Sequence, residues 1–250
     1  MPHDHSELQR AHTQEAIAER IQAAAHHSYL GDFVLGAVDG AVTTFAIVAG
    51  AAGAELSSGV ALVLGAANVL ADGFSMAASN FLKARSDQEL VDRFRRMEEM
   101  HIDRIPDAER EEIRQIFAAK GFEGSMLDKI VETITNDRQR WVDTMLTEEW
   151  GLRLSSPIPW RAGAITFIAF VIAGLVPLLP LIPAIRQPAD RSFVISSVLT
   201  GITFFVIGYI RGKTVEHNPW RTGLETVLIG GSAAALAYLV GKWLHSLAIG

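Results

Sequence analysis

Two aspartates stand inside apolar runs long enough to cross a bilayer. Asp39 interrupts the run from Phe33 to Gly53, and Asp72 interrupts the run from Gly59 to Leu82, with Met76 one helical turn later. A carboxylate at bilayer depth costs roughly 2.5–3.5 kcal/mol on insertion scales, so such residues face a bundle interior or water and mark ion or proton paths. Asp39, Asp72 and Met76 together offer hard oxygen and soft sulfur, which suits a borderline transition metal. Asn68, Asp72 and Met76 recur every four residues and form one stripe along a helix. Thr43 lies one turn beyond Asp39 and adds an oxygen. Asp32, seven residues before Asp39, falls on nearly the same face, close to the membrane edge where a carboxylate is cheaper.

A second set of ligand-type residues lies in the charged stretch that follows. Glu98 and His101 are three apart, as are Glu109 and Glu112, and Met145 and Glu149 are four apart. Each pair shares one side of its helix. If the three faces converge they make an oxygen-rich cage with one imidazole and one thioether, suited to Fe2+, Mn2+, Co2+ or Zn2+. Acidic helix faces are also ordinary solvated surface, so spacing alone leaves both readings open. Histidines at 3, 5, 12, 26 and 27 add imidazoles to an otherwise polar leader, with metal capture and a plain tail as the two readings.

The elements that must position these residues follow from the hydropathy pattern. A mean hydropathy of +0.23 averages over a sharp partition. Stretches 32–83, 159–211 and 222–249 are mostly apolar, and 84–158 is charge-dense. A span needs about 20 apolar residues. The chain is therefore predicted to be all-α and polytopic, with five transmembrane helices near 32–54, 57–82, 159–183, 192–211 and 222–246. The expected division is an N-terminal segment 1–31, spans one and two in 32–83, a helical insert 84–158, and spans three to five in 159–250.

Residues 7–30 read as an amphipathic leader helix, with no cleavable signal peptide. Within the insert, span two continues to about Arg104. Pro106 then starts a helix over 107–119 that Gly121 closes. Two more helices are expected, at 125–135 and from an Asn136 cap to before Gly151, the last packing Trp141, Met145 and Trp150 against the others. Gly36 and Gly40 form a small-residue ridge that lets helices approach closely and offers itself as a dimer contact. Pro177, Pro180 and Pro183 break the end of span three. Glu225 is expected to pair with Arg221 or Lys213.

The chain has no cysteine, which excludes disulfides and thiolate metal sites. Residues 84–158 hold 17 acidic against 12 basic side chains, −5 of the net −6. This balance argues against nucleic acid and suits a cation-collecting surface. Lys83, Arg85, Arg153 and Arg161 flank the insert, and Arg211, Lys213 and Arg221 fill the fourth connection, whereas the 54–58 turn has no Lys or Arg. Arg186 and Arg191 in the third connection run against this trend. The positive-inside rule then places the N-terminus and insert in the cytoplasm and the C-terminus outside.

In order and spacing these residues resemble the vacuolar iron transporter family, over essentially all of 30–248. The likeness rests on Gly31-Asp32 and Gly36-Ala37-Val38-Asp39-Gly40, and on the run Asn68 to Met76 followed by Lys83-Ala84-Arg85-Ser86. Trp141-Val142-Asp143-Thr144-Met145 with Glu149-Trp150-Gly151-Leu152, and Pro219-Trp220-Arg221-Thr222-Gly223-Leu224-Glu225, extend it. The resemblance implies a homodimer of five-span chains with the ion path at the dimer interface, exporting Fe2+ from the cytosol in exchange for protons. It implies Asp39 as the central pathway carboxylate, Met76 as its soft partner and Asp32 at the entrance. The cytosolic metal site would map to Glu98, Glu109, Glu112, Met145 and Glu149. Plant members have a glutamate at the positions of Asn68 and His101. Asp72 is placed to take over the first, and an imidazole replaces a negative charge at the second. Some bacterial relatives carry an N-terminal ferritin-like domain, for which thirty residues are too few.

The expectation is thus a transporter of divalent iron, and also manganese, in a bacterial inner membrane. It works with protons and lipid bilayer as partners, without resident cofactor, nucleic acid or bond chemistry. Two rivals remain: a membrane-tethered di-iron ferroxidase, for which Glu98-x-x-His101 supplies half of the usual pair of motifs, and a metal-sensing membrane protein with inert spans.

Overall fold

A computed structural model describes residues 9, 12–24, 28–182 and 189–249. Its elements are helices α1 (Gln14–Ala24), α2 (Leu30–Gly53), α3 (Ser58–Arg104), α4 (Pro106–Ala119), α5 (Gly124–Thr135), α6 (Arg138–Glu148) and α7 (Pro159–Leu175). A 3-10 turn follows at Val176–Leu181, then α8 (Ala189–Thr214) and α9 (Pro219–Ile249). No strand occurs among the described residues. Five helices are long and apolar enough to span a membrane: α2, the first part of α3, α7 with its 3-10 turn, α8 and α9. The protein is an integral membrane protein of the all-α class. Its described residues form two compact units, Ser28–Leu82 with Ile158 onward, and the insert Lys83–Pro157 with α1.

In the span unit α2 is the hub, packed on α7 along one side and on α9 and α8 along the other. The Gly36/Gly40 ridge is consumed inside the chain. A Cβ at Gly36 would run into the Thr166 carbonyl, and one at Gly40 into the Phe170 carbonyl, both on α7. The ridge is therefore not the free dimer contact that its spacing suggested. Spacing reports that some backbone comes close and cannot say which one.

The 3-10 turn continues α7 beyond its last α-helical residue. Pro180 has no N–H to give to the Pro177 carbonyl three residues back. The Ser196 hydroxyl of α8 donates to that carbonyl at 2.7 Å, so a neighbouring helix satisfies it within the bundle. Buried Thr166, Thr200 and Thr226 donate to the carbonyls four residues earlier in their own helices, at 2.7–2.9 Å. Glu225 pairs with Arg211 at 3.2 Å, not with Arg221 or Lys213.

The insert begins on α3, which runs unbroken from span two because neither Gly nor Pro occurs between Gly73 and Pro106. Pro106 opens α4 as its first residue, and Gly121 follows its end at φ +92°, where other residues are strained. The cap of α6 is Asp137, whose carboxylate accepts from the Arg140 N–H at 3.1 Å, one residue after the expected Asn136. Ile102, Ile113, Leu127, Val131, Trp141, Val142, Met145 and Leu146 close over one another as the insert core.

Candidate metal pathway and carboxylate cluster

In the span unit the predicted polar residues of α2 and α3 meet. Thr43 Oγ1 donates back to the Asp39 carbonyl at 2.8 Å and accepts from Asn68 Nδ2 at 3.4 Å. The Asp39 and Asp72 carboxylates lie near enough for their charges to interact. Asp39, Thr43, Asn68, Asp72 and Met76 are all half-buried, neither sealed in packing nor turned fully outward. One helix face thus carries alternating amide, carboxylate and thioether, opposite a carboxylate and a hydroxyl on α2.

The stripe has a fourth member that ligand-type reasoning passed over. Asn80, four residues after Met76, donates from Nδ2 to Asp32 Oδ1 and to Thr166 Oγ1, each at 2.8 Å. The Thr166 hydroxyl donates to the Ala162 carbonyl at 2.9 Å, so the run of donors has one direction. Asn80 therefore ties α2, α3 and α7 together at Asp32. The signal was the unbroken spacing 68, 72, 76, 80, which the search ended at the last ionisable or soft side chain.

The insert gathers a different set. Glu98 at the C-terminal part of α3 and Glu109 on α4 are each 1% exposed. Ligand-capable atoms of Glu98, His101 and Glu109 all lie within 4.8 Å of one another. His101 Nδ1 stands 3.3 Å from Glu109 Oε1. Trp150 donates from Nε1 to Glu98 Oε1 at 2.8 Å while its ring packs on Phe94 at 4.3 Å. The second oxygens of Glu98 and Glu109 are buried with no hydrogen-bond partner among the described residues.

Burial first, then the charges of Glu112 and Glu98, a hydrogen bond with Glu98, and the charge of Glu149 push the Glu109 carboxyl up to about 8. Partial burial, then Glu98 and Glu112, push Glu149 up to about 7. Four glutamates from α3, α4 and the end of α6 thus feel one another, with His101 at the edge. Met145 is fully buried in the adjoining apolar core. Crowded, desolvated carboxylates favour whatever neutralises them, a proton or a metal cation. His12 is exposed, and the histidines at 3, 5, 26 and 27 lie outside the described residues. His217 Nδ1 lies 3.0 Å from the Val215 carbonyl, and His245 lies 3.7 Å from Glu55.

These features define a five-span helical membrane protein with carboxylates in its spans and a glutamate cluster in a helical insert. The sequence pattern of the VIT family matches residues 30–242, and the chain belongs to that family. It is 35% identical over 217 residues to vacuolar iron transporter 1 of Eucalyptus grandis, covering 86% of each chain. It is 34% identical over 214 residues to vacuolar iron transporter 1 of Arabidopsis thaliana, covering 84% of each. It is 33% identical over 225 residues to the vacuolar iron transporter of Toxoplasma gondii, covering 87% of this chain and 74% of that one.

Proposed function

We propose that this protein exports divalent iron, and manganese as a second cargo, from the cytosol in exchange for protons. The observation that carries the reading is the meeting of Asp39, Thr43, Asn68 and Asp72 between two apolar helices, where a structural role has no use for two carboxylates. The relatives named as iron transporters support iron as cargo. The insert cluster of Glu98, His101, Glu109, Glu112 and Glu149 collects ions, with Met145 as a thioether close behind. The spans pass them by ligand exchange, and no bond chemistry is involved. Asp39 binds metal when ionised and a proton when not, so one group serves both ions in turn.

We infer that the N-terminus and insert face the cytoplasm, on the strength of the Lys and Arg flanking the insert and filling the fourth connection. A homodimer fits the exposed apolar face of α3, where Val63, Leu70 and Phe74 are 62–70% exposed, and it would set the α3 stripes of two copies around one path.

The test is Asp39→Asn, which keeps shape and removes titration and most of the attraction. In proteoliposomes loaded with a metal-sensitive dye and a pH dye, the variant should fold, bind metal in the insert, and move neither Fe2+ nor protons. Metal flux still coupled to protons at the wild-type rate in Asp39→Asn would refute the assignment.

A further inference from the structure

Within the insert, the link from α6 towards α7 runs beside α3 and encloses a polar cavity of about 280 Å3. That is several times the roughly 30 Å3 that one water takes, so a phosphate group with part of its substituent fits. Lys83, Asp87, Leu90 and Val91 share one face of α3 and line one wall. The link lines the other, with Arg153, Ser155 and Ser156 as its polar side chains.

The link is pinned at both ends. Gly151, at φ +63°, turns the chain out of α6, and the Leu152 N–H donates to the Leu146 carbonyl at 2.9 Å. Further on, Gln88 Nε2 of α3 donates to the Pro157 carbonyl at 3.0 Å. Between the pins the donors are spare. The half-buried Ser155 and Ser156 hydroxyls, and the amide N–H groups of Arg153, Ser155 and Ser156, have no hydrogen-bond partner among the described residues. Arg153 makes no ion pair among them either.

The walls hold two cations and one carboxylate. Lys83 pairs with Asp87 at 3.1 Å, but their side chains are 72% and 51% exposed, and an exposed pair one turn apart contributes little. A metal cation would meet two positive charges here and a single carboxylate. An oxyanion would meet a guanidinium, an ammonium, two hydroxyls and free amides, the donor set that phosphate takes. The position in the chain agrees. Lys83 directly follows the apolar run of span two, and Pro157 stands two residues before Pro159, the first residue of α7. Cations just beyond span ends are where anionic headgroups are met.

We propose that this cavity is a phosphate site, with Arg153 and Lys83 as cationic partners and Ser155 and Ser156 as donors. The phosphate is that of an anionic lipid headgroup or free inorganic phosphate. Asp87 sets the preference between them. Its carboxylate opposes a second negative charge and accepts from a headgroup hydroxyl, which favours a hydroxyl-bearing phosphodiester over a phosphate dianion.

The experiment uses the full chain in maltoside micelles at fixed ionic strength. Short-chain phosphatidylglycerol and inorganic phosphate are titrated separately and in competition by calorimetry. Wild type should bind one phosphatidylglycerol per chain. Displacement by phosphate would support the site with the free anion as occupant, and binding that phosphate does not displace would support it with the lipid. Arg153→Gln with Lys83→Gln should weaken binding at least tenfold, and Ser155→Ala with Ser156→Ala several-fold, with helix content and melting temperature kept. Asp87→Asn should strengthen binding, more for inorganic phosphate than for the lipid. Arg85→Gln removes an equal charge from a side chain that does not line the cavity and should leave binding unchanged. No saturable binding of either probe by wild type overturns the proposal. So does wild-type affinity in the folded Arg153/Lys83 double variant, or equal weakening by Arg85→Gln and Arg153→Gln, since net charge alone would then account for the attraction.

Discussion

At pH 7 the insert cluster should release protons when it takes up metal, in a number set by Glu109 and Glu149. Glu109, held at about 8, and Glu149, at about 7, are both raised by burial and by their glutamate neighbours. Ligands must be deprotonated to bind. At pH 7 Glu109 is then mostly protonated and Glu149 about half, so loading releases about one to two protons per cluster. The number should rise towards two at pH 6 and fall at pH 8. Calorimetry of the full chain with Mn2+, in buffers of different ionisation enthalpy, reads this number as a slope. Glu109→Gln should lower it at pH 7 by about one proton or less and weaken binding.

Stability without metal gives an independent check. A carboxyl raised from 4.5 to about 8 by folding binds more protons in the native state than in the unfolded one across that window. Its contribution is fully present below 4.5 and is lost as pH rises towards 8. The melting temperature of the metal-free wild type should therefore fall from pH 5 to pH 8 relative to Glu109→Gln. Buffer-independent binding enthalpies at pH 7, or a wild type that gains on Glu109→Gln as pH rises, would refute the argument.

Three further outcomes are expected. Asn80→Ala removes two 2.8 Å hydrogen bonds, one to a carboxylate that is worth about 1.5–3 kcal/mol, and should slow flux while leaving calorimetric binding in the insert unchanged; Asn80→Asp should be worse, since it sets a second carboxylate against Asp32. Gly40→Leu drives a side chain into the Phe170 backbone and should cost more than the 1–3 kcal/mol or so of ordinary overpacking, read as a lower melting temperature in detergent whatever the oligomeric state. Trp150→Phe keeps the ring on Phe94 and removes the donor to Glu98, and should weaken metal binding about tenfold, for roughly 1.4 kcal/mol, with little change in helix content.

The spans and the insert helices were legible because their signals are local: twenty-residue apolar runs, Pro106 at a helix start, Gly121 past a helix end. The α3 stripe was legible through Met76 because period four survives in any helix. Asn80 was missed because its role depends on Asp32 and Thr166, which lie 48 and 86 residues away. Trp150 was assigned to packing, and its ring does pack, but its N–H is aimed at Glu98, which only the approach of the α6 end to α3 reveals. The same limit explains Glu225. Several cations lie near it in sequence, and the crossing of α8 on α9 selects Arg211. Spacing names faces of helices, and helix crossings decide what each face meets.

The insert is acidic as a whole, and an acidic surface needs no metal to explain it. The distribution of its cations separates the two cases. Many outlying carboxylates pair with Arg or Lys, among them Asp103 with Arg138 at 2.6 Å, Asp143 with Arg95 at 2.6 Å, Asp128 with Arg114 at 2.7 Å, and Glu148 with Lys120, while Asp92, Glu99, Glu123 and Glu132 are left to solvent without such a pair among the described residues. The guanidinium beside Asp103 holds it below the usual carboxylate range. Glu98, Glu109, Glu112 and Glu149 have no Lys or Arg within ion-pair distance among the described residues, and of the basic side chains His101 alone approaches them there. Yet these are the carboxylates for which a cation is worth most, because two of them are 1% exposed and carry oxygens without a donor. Apolar residues at such positions are often neutral or stabilising. A fold that puts twelve basic side chains into residues 84–158 and keeps them all from its most desolvated acids leaves the positive charge to come from outside. That arrangement is what the proposed metal site needs, because its buried carboxylates, unlike the solvated ones, have neither water nor a resident cation to neutralise them. In the proposed site a resident lysine or arginine would occupy the place of the cargo and could not leave.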